Sequence, residues 1–126
     1  MSLSCHIGFN GQCEEAFNFY AHALGGTIGT LLRVADSPVP ATSEAHARQI
    51  VHANIRIDGV EIAGGDVAPE QYQRPQGFCV LLGVESEARV QSVFEALQAG
   101  GEVVMAPQRT FFSPCYAIVV DRFGVP

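Results

Sequence analysis

His6, His52 and Glu61 are the side chains of this chain best suited to chemistry, with Asn54 and Arg56 lying between the last two in the sequence. An imidazole titrates close to working pH, so His52 and His6 can move protons or hold a ligand. Glu61 can serve as a general base or a metal ligand, Arg56 can hold an anion, and Asn54 can offer a polar contact. Glu61 and His52 are therefore the candidate catalytic pair, with His6, Asn54 and Arg56 as candidate substrate contacts. Each has a plainer role beside it. The imidazoles can be hydrogen-bonded inside a half-buried sheet. Arg56 and Glu61 can form an ordinary cross-strand ion pair, worth at most about 1 kcal/mol when exposed.

These residues must be placed by strands. The stretch QIVHANIRIDGVEIAGGD, Gln49–Asp66, is a hairpin around Asp58-Gly59, a pair that tolerates the positive φ a two-residue turn demands. Pairing outward sets Ile57 against Val60, Arg56 against Glu61, Ile55 against Ile62 and Asn54 against Ala63. Side chains alternate along a strand. One face then carries Val51, Ala53, Ile55, Ile57, Val60 and Ile62. The other carries Ile50, His52, Asn54, Arg56, Glu61, Ala63 and Gly65, and it either meets water or lines a cavity. Asp66, at the strand end, sits at a cleft rim or caps a turn, and the turn role is the commoner one for aspartate.

Ser4–Phe9 also alternates, with Cys5, Ile7 and Phe9 on one face and Ser4, His6 and Gly8 on the other. Gln12–Leu24 has helical spacing in Ala16, Phe17, Tyr20, Ala23 and Leu24, with Glu14 and Glu15 at its dipole-positive start and Gly25-Gly26 as its stop. Thr27–Ala35 reads as a strand, Asp36–Glu44 as a polar loop, and Val67–Gly77 as a second loop of lid-like length. His22 and His46 read as surface residues. The order then repeats: a strand over Phe78–Val84, Ser86 capping a helix over Glu87–Ala99, Gly100-Gly101, and strands over Glu102–Met105 and Cys115–Val120. The architecture expected is α+β: two βαβββ modules forming one curved mixed sheet with a cup-shaped cleft and helices on the convex side. Module one covers about 3–66, a linker about 67–77, and module two about 78–126; symmetry calls for one further strand beyond Pro126.

Length and composition set the outer bounds. The chain has 126 residues, nearly half apolar, which suffices for one domain with a real core. Its formal charge is −6 and all seven cations are arginine, with no basic stripe, so nucleic acid is not an expected partner. No apolar run reaches the roughly 20 residues of a membrane span, and the start has no signal-peptide pattern. Cys5, Cys13, Cys79 and Cys115 lack ligand-like spacing, which points to free, mostly buried thiols and a cytoplasmic location. No GxSxG, P-loop, HExxH or GxGxxG motif is present.

FNGQCEEAFNFYAHALGG, HANIRIDGVEIAGGD, PQRTFF and the terminal VVDRFGVP, in that order, resemble the PhnB-like branch of the vicinal oxygen chelate superfamily, which includes glyoxalase I, extradiol dioxygenases and bleomycin-resistance proteins. The resemblance implies paired βαβββ modules, a homodimer, and a small organic ligand in the cup. It also implies either metal-assisted lyase, isomerase or dioxygenase chemistry or metal-free binding of the resistance type. Metal-using members place a ligand on the first strand of each module and a carboxylate on the last. Those positions fall here near Ser4 and Cys79, or alternatively at His6 and Phe78, and at Glu61, Ala63 or Gly65, so the His/Glu pattern is not reproduced. A zinc or nickel site would have to draw on His6, His52, Glu61 and Cys79. Arg109 and Phe111, beside Thr110 and Phe112 in the loop before the last strand, are further candidate substrate contacts; the two aromatics form a pocket wall or a dimer contact.

Overall fold

The computed structural model describes residues 1–126, arranged as two compact units, Met1–Gln73 and Arg74–Pro126. The first contains β1 (Cys5–Phe9), α1 (Cys13–Leu24), β2 (Thr27–Arg33), a 3-10 turn (Val34–Asp36), α2 (Glu44–Arg48), β3 (Ile50–Ile57) and β4 (Val60–Asp66). The second contains α3 (Glu87–Gln98), β5 (Glu102–Gln108) and β6 (Tyr116–Val120). The class is mixed α+β, with one four-stranded and one two-stranded sheet, both open.

In the first unit the strand order is β1-β4-β3-β2, with β1 parallel to β4 and the other pairs antiparallel. The hairpin has the register that its turn dictates, from Ile57 opposite Val60 to Asn54 opposite Ala63. Asp58 and Gly59 both take positive φ, 47° and 79°, as a primed turn between twisted strands requires. Helix α1 covers the apolar face. Ala16, Phe17 and Tyr20 are buried against Ile7, Phe9, Ala53 and Ile55 in a single core. Gly64 lets the helix approach, since a Cβ there would stand 2.8 Å from Phe17 Cζ. The helix stops at Gly25 in the left-handed conformation, φ 73°.

Two carboxylates hold α1 in place. Asp66 accepts the Cys13 N–H at 2.9 Å through Oδ1 and the Ile50 N–H at 2.8 Å through Oδ2. One side chain thus closes the start of the helix and the start of β3 together. Glu14 accepts from Arg33 Nη2 at 2.6 Å and from Nη1 at 2.9 Å, tying the first turn of α1 to the end of β2. That hydrogen bond holds the Glu14 carboxyl below its usual range.

Helix α2 lies where the sequence showed only a polar loop and the approach to the hairpin. Ser43 caps it by accepting the His46 N–H at 3.0 Å, and His46 Nδ1 accepts the Thr42 N–H at 3.0 Å. Five residues are too few to display an apolar period, so only the cap could have signalled the helix.

The second unit departs further from expectation. Ser86 caps α3 as expected, accepting the Arg89 N–H at 3.1 Å, and Gly100 turns the chain after it with φ 73°. Yet the apolar run Phe78–Val84 is not a strand; its one backbone hydrogen bond outside regular elements runs from Val80 N–H to the Pro126 carbonyl, 3.0 Å. A β-rich composition describes a fit to a pleated surface, and without a ladder partner it makes no strand. The second module therefore contributes two strands, and its sheet is separate from that of the first. β5 continues through Pro107 to Gln108, beyond the expected Met105, because a two-stranded sheet leaves an edge where proline is tolerated. Asp121 is buried just past β6 and accepts the Phe123 and Val125 N–H groups at 2.9 and 3.0 Å.

The thiols are less buried than expected. Cys13 is fully buried, Cys5 and Cys115 are half-buried, and Cys79 is exposed; none is paired. Burial, reinforced by the charges of Asp66 and Glu14, pushes the Cys13 thiol up to about 12. A thiol whose folded value is raised adds stability below its unfolded value near 9 and loses it as pH rises toward 12. Cys79 is expected to react with a thiol reagent at neutral pH in the folded protein, and Cys13 only after denaturation. Peptide mapping after brief alkylation checks this; early labelling of Cys13 would contradict the packing.

Candidate functional site

The polar face of the four-stranded sheet is ordered in rows. His6 on β1 is paired with Ala63 on β4, and Ala63 with Asn54 on β3. In the next row Gly8 is paired with Gly65. The β3–β4 register, carried one residue on, sets His52 beside Gly65, with Leu32 of β2 on its other side. His6 and His52 thus stand diagonally on two strands that flank β4. Their backbones are about 10 Å apart across the sheet, but their rings lean over β4 until the centroids are 6.2 Å apart, with planes within 25° of parallel. On β4, between the two strands, the register places Ala63 and the bare backbone of Gly65. Gly65 admits no larger residue, since a Cβ there would stand 2.6 Å from the Val51 carbonyl oxygen. Both rings are exposed.

Glu61 does not join this pair. It lies four residues before Gly65 on β4, about 13 Å along the strand, so the structure separates Glu61 from His52. Arg56 faces Glu61 at 3.9 Å with both side chains well exposed. Its Nη1 also donates to the Gly59 carbonyl at 3.0 Å, which fastens the turn. Asn54 is occupied too. Its Oδ1 accepts the Thr30 N–H at 2.8 Å and stabilises an irregularity in β2, where a Cβ at Gly29 would collide with that oxygen. Asp66 has the backbone role described above rather than a place at a rim.

Arg109 and Phe111 belong to the second unit. Phe111 is fully exposed and meets Phe112 edge-on at 5.1 Å, and Phe112 meets Tyr116 at 4.9 Å. A tight turn presents them, with Ser113 N–H donating to Thr110 Oγ1 at 3.1 Å. Cys79 is exposed in the same unit, and Ser4 is exposed just before β1. No three His, Cys, Asp or Glu side chains come together as a group able to hold a metal ion. A catalytic zinc is normally held by three protein ligands. The His6/His52 pair alone does not fit a resident metal.

Alternation along each strand put both histidines on polar faces. What sequence reasoning lacked was the strand order, which inserts β4 between β1 and β3. The sequence signal for the gap was the small run Ala63-Gly64-Gly65.

A four-stranded sheet with α1 on its apolar face and a histidine pair on the polar face defines an α+β chain of the PhnB-like, glyoxalase-type class. The family described as 3-demethylubiquinone-9 3-methyltransferase matches residues 2–126, and the chain belongs to it. It is 30% identical to the protein YjdN of Escherichia coli K12, over all of this chain and 92% of that protein. Among solved structures it is similar to protein PA1353 of Pseudomonas aeruginosa, at 35% identity and a TM-score of 0.87, covering 98% of this chain and 93% of that one. The fold is also shared with the PhnB protein of Bacillus cereus, a putative 3-demethylubiquinone-9 3-methyltransferase, at 23% identity and a TM-score of 0.84, covering 99% and 95%. No helix is long and apolar enough to cross a membrane.

Proposed function

We propose that this chain binds a small organic molecule on the polar face of the first unit, over β4, between His6 and His52. The single observation that carries the reading is the ring pair at 6.2 Å above two residues with almost no side chain. Binding without metal-assisted turnover is the favoured form, because no third ligand joins the two imidazoles.

The proposal extends to a homodimer in the cytoplasm. Val103, Val104, Phe111 and Phe112 of the second unit are large apolar residues left in water, and exposed apolar surface of this kind favours association. Four unpaired thiols suit a reducing compartment.

The test is a fragment library screened by ligand-observed NMR against the wild type and the His6→Ala/His52→Ala double variant. Both side chains are exposed, so the variant is expected to keep its thermal midpoint within a few degrees. Fragments that bind the wild type and lose at least about tenfold in the variant support the site, a loss equal to about 1.4 kcal/mol. Hits indifferent to both substitutions, or no hits at all, overturn it.

A further inference from the structure

We infer that the slot between His6 and His52 selects planar, conjugated molecules over saturated ones of the same size and polarity. The inference rests on the binding site proposed above and concerns only the class of its ligand. Two rings within 25° of parallel present π faces toward the same gap. A flat group held between two such faces needs about 3.5 Å of contact distance on each side, or about 7 Å in all. The observed centroid separation of 6.2 Å is an upper bound on the distance between the faces, so the slot must widen by at least about 1 Å to admit the group. Both rings are exposed, so small rotations about their side-chain torsions open the slot.

The floor favours the same ligand shape. Ala63 and Gly65 put almost no side chain on β4 between the two histidine strands, and Gly65 cannot carry one. Val67 closes the neighbouring Gly8 position, where a Cβ would stand 3.2 Å from Val67 Cγ1. A puckered ring is thicker than the slot, and admitting it would force the imidazoles well apart and lose at least one face contact. Two aromatic faces of this kind separate flat from puckered ligands by about tenfold in affinity.

The experiment uses naphthalene-2-carboxamide and its saturated counterpart decahydronaphthalene-2-carboxamide, which share a skeleton and a head group. Each is titrated into the full chain in the presence of EDTA while the carbon-bound imidazole protons of His6 and His52 are followed by NMR. The naphthalene compound is expected to bind about tenfold tighter and to move both imidazoles upfield through its ring current. His52→Phe keeps a flat face and is expected to hold that affinity within about threefold; His52→Leu is expected to lose about tenfold. Equal affinity of the two compounds at the same imidazoles removes the planar preference and leaves the binding site standing. Equal losses in the Phe and Leu variants show that the imidazole nitrogens carry the contact, and overturn the inference. So does dependence on a metal that EDTA removes. If neither compound shifts the imidazoles, the inference fails, and the fragment screen decides separately whether the site fails with it.

Discussion

Replacing Asp66 by alanine is expected to destabilise the first unit by about 3 kcal/mol, and the reason is geometric. Its two carboxylate oxygens each accept one backbone N–H, from Cys13 and from Ile50, across 53 and 16 residues of sequence. Hydrogen bonds to a charged acceptor contribute about 1.5–3 kcal/mol each, and removing the acceptor leaves both donors unpaired. Asp66→Asn retains one acceptor oxygen and should lose about half as much. Urea melts give the magnitude, and hydrogen exchange gives the location. Protection should fall first at the amides of Cys13 and Ile50. A loss below about 1 kcal/mol would mean that water replaces the carboxylate at little cost.

A larger effect is expected at the centre of the core. Phe17 is fully buried, packs edge-on against Phe9 with ring centroids 5.8 Å apart, and sits over the bare backbone of Gly64. Phe17→Ala is expected to destabilise the protein by about 4 kcal/mol, through lost burial and the cavity left behind. Gly64→Ala acts on the same contact from the other side. Its methyl would stand 2.8 Å from Phe17 Cζ and 3.1 Å from the Ile7 carbonyl oxygen, an overpacking worth about 1–3 kcal/mol. The double variant should lose less than the two single losses together, because the cavity at 17 receives the methyl at 64. Denaturant melts of the four proteins check the cycle. Strict additivity would show that the ring and the glycine do not constrain one another.

His6 and His52 both lay on polar faces by simple alternation, and the hairpin that carries His52 followed from Asp58-Gly59 alone. The readings of Asn54, Arg56 and Glu61 were weaker because a face says nothing about partners. Asn54 proved to be bonded to the Thr30 amide, and Arg56 to the turn it flanks. The strand read at Phe78–Val84 failed for a related reason. Apolar composition is a property of the segment, whereas a strand is a property of a pair.

By itself the sequence determined the local elements: the primed hairpin and the two twelve-residue helices with their glycine stops. These depend on neighbours within a few residues, where propensity and periodicity act. Only the tertiary structure decided which elements became adjacent. The parallel placement of β1 beside β4 brings His6 toward His52, and the folding of α1 and β3 against the end of β4 makes Asp66 a clasp for both. Such contacts join residues tens of positions apart. They are fixed by burying α1 on one face of the sheet, a condition that no short window of sequence contains.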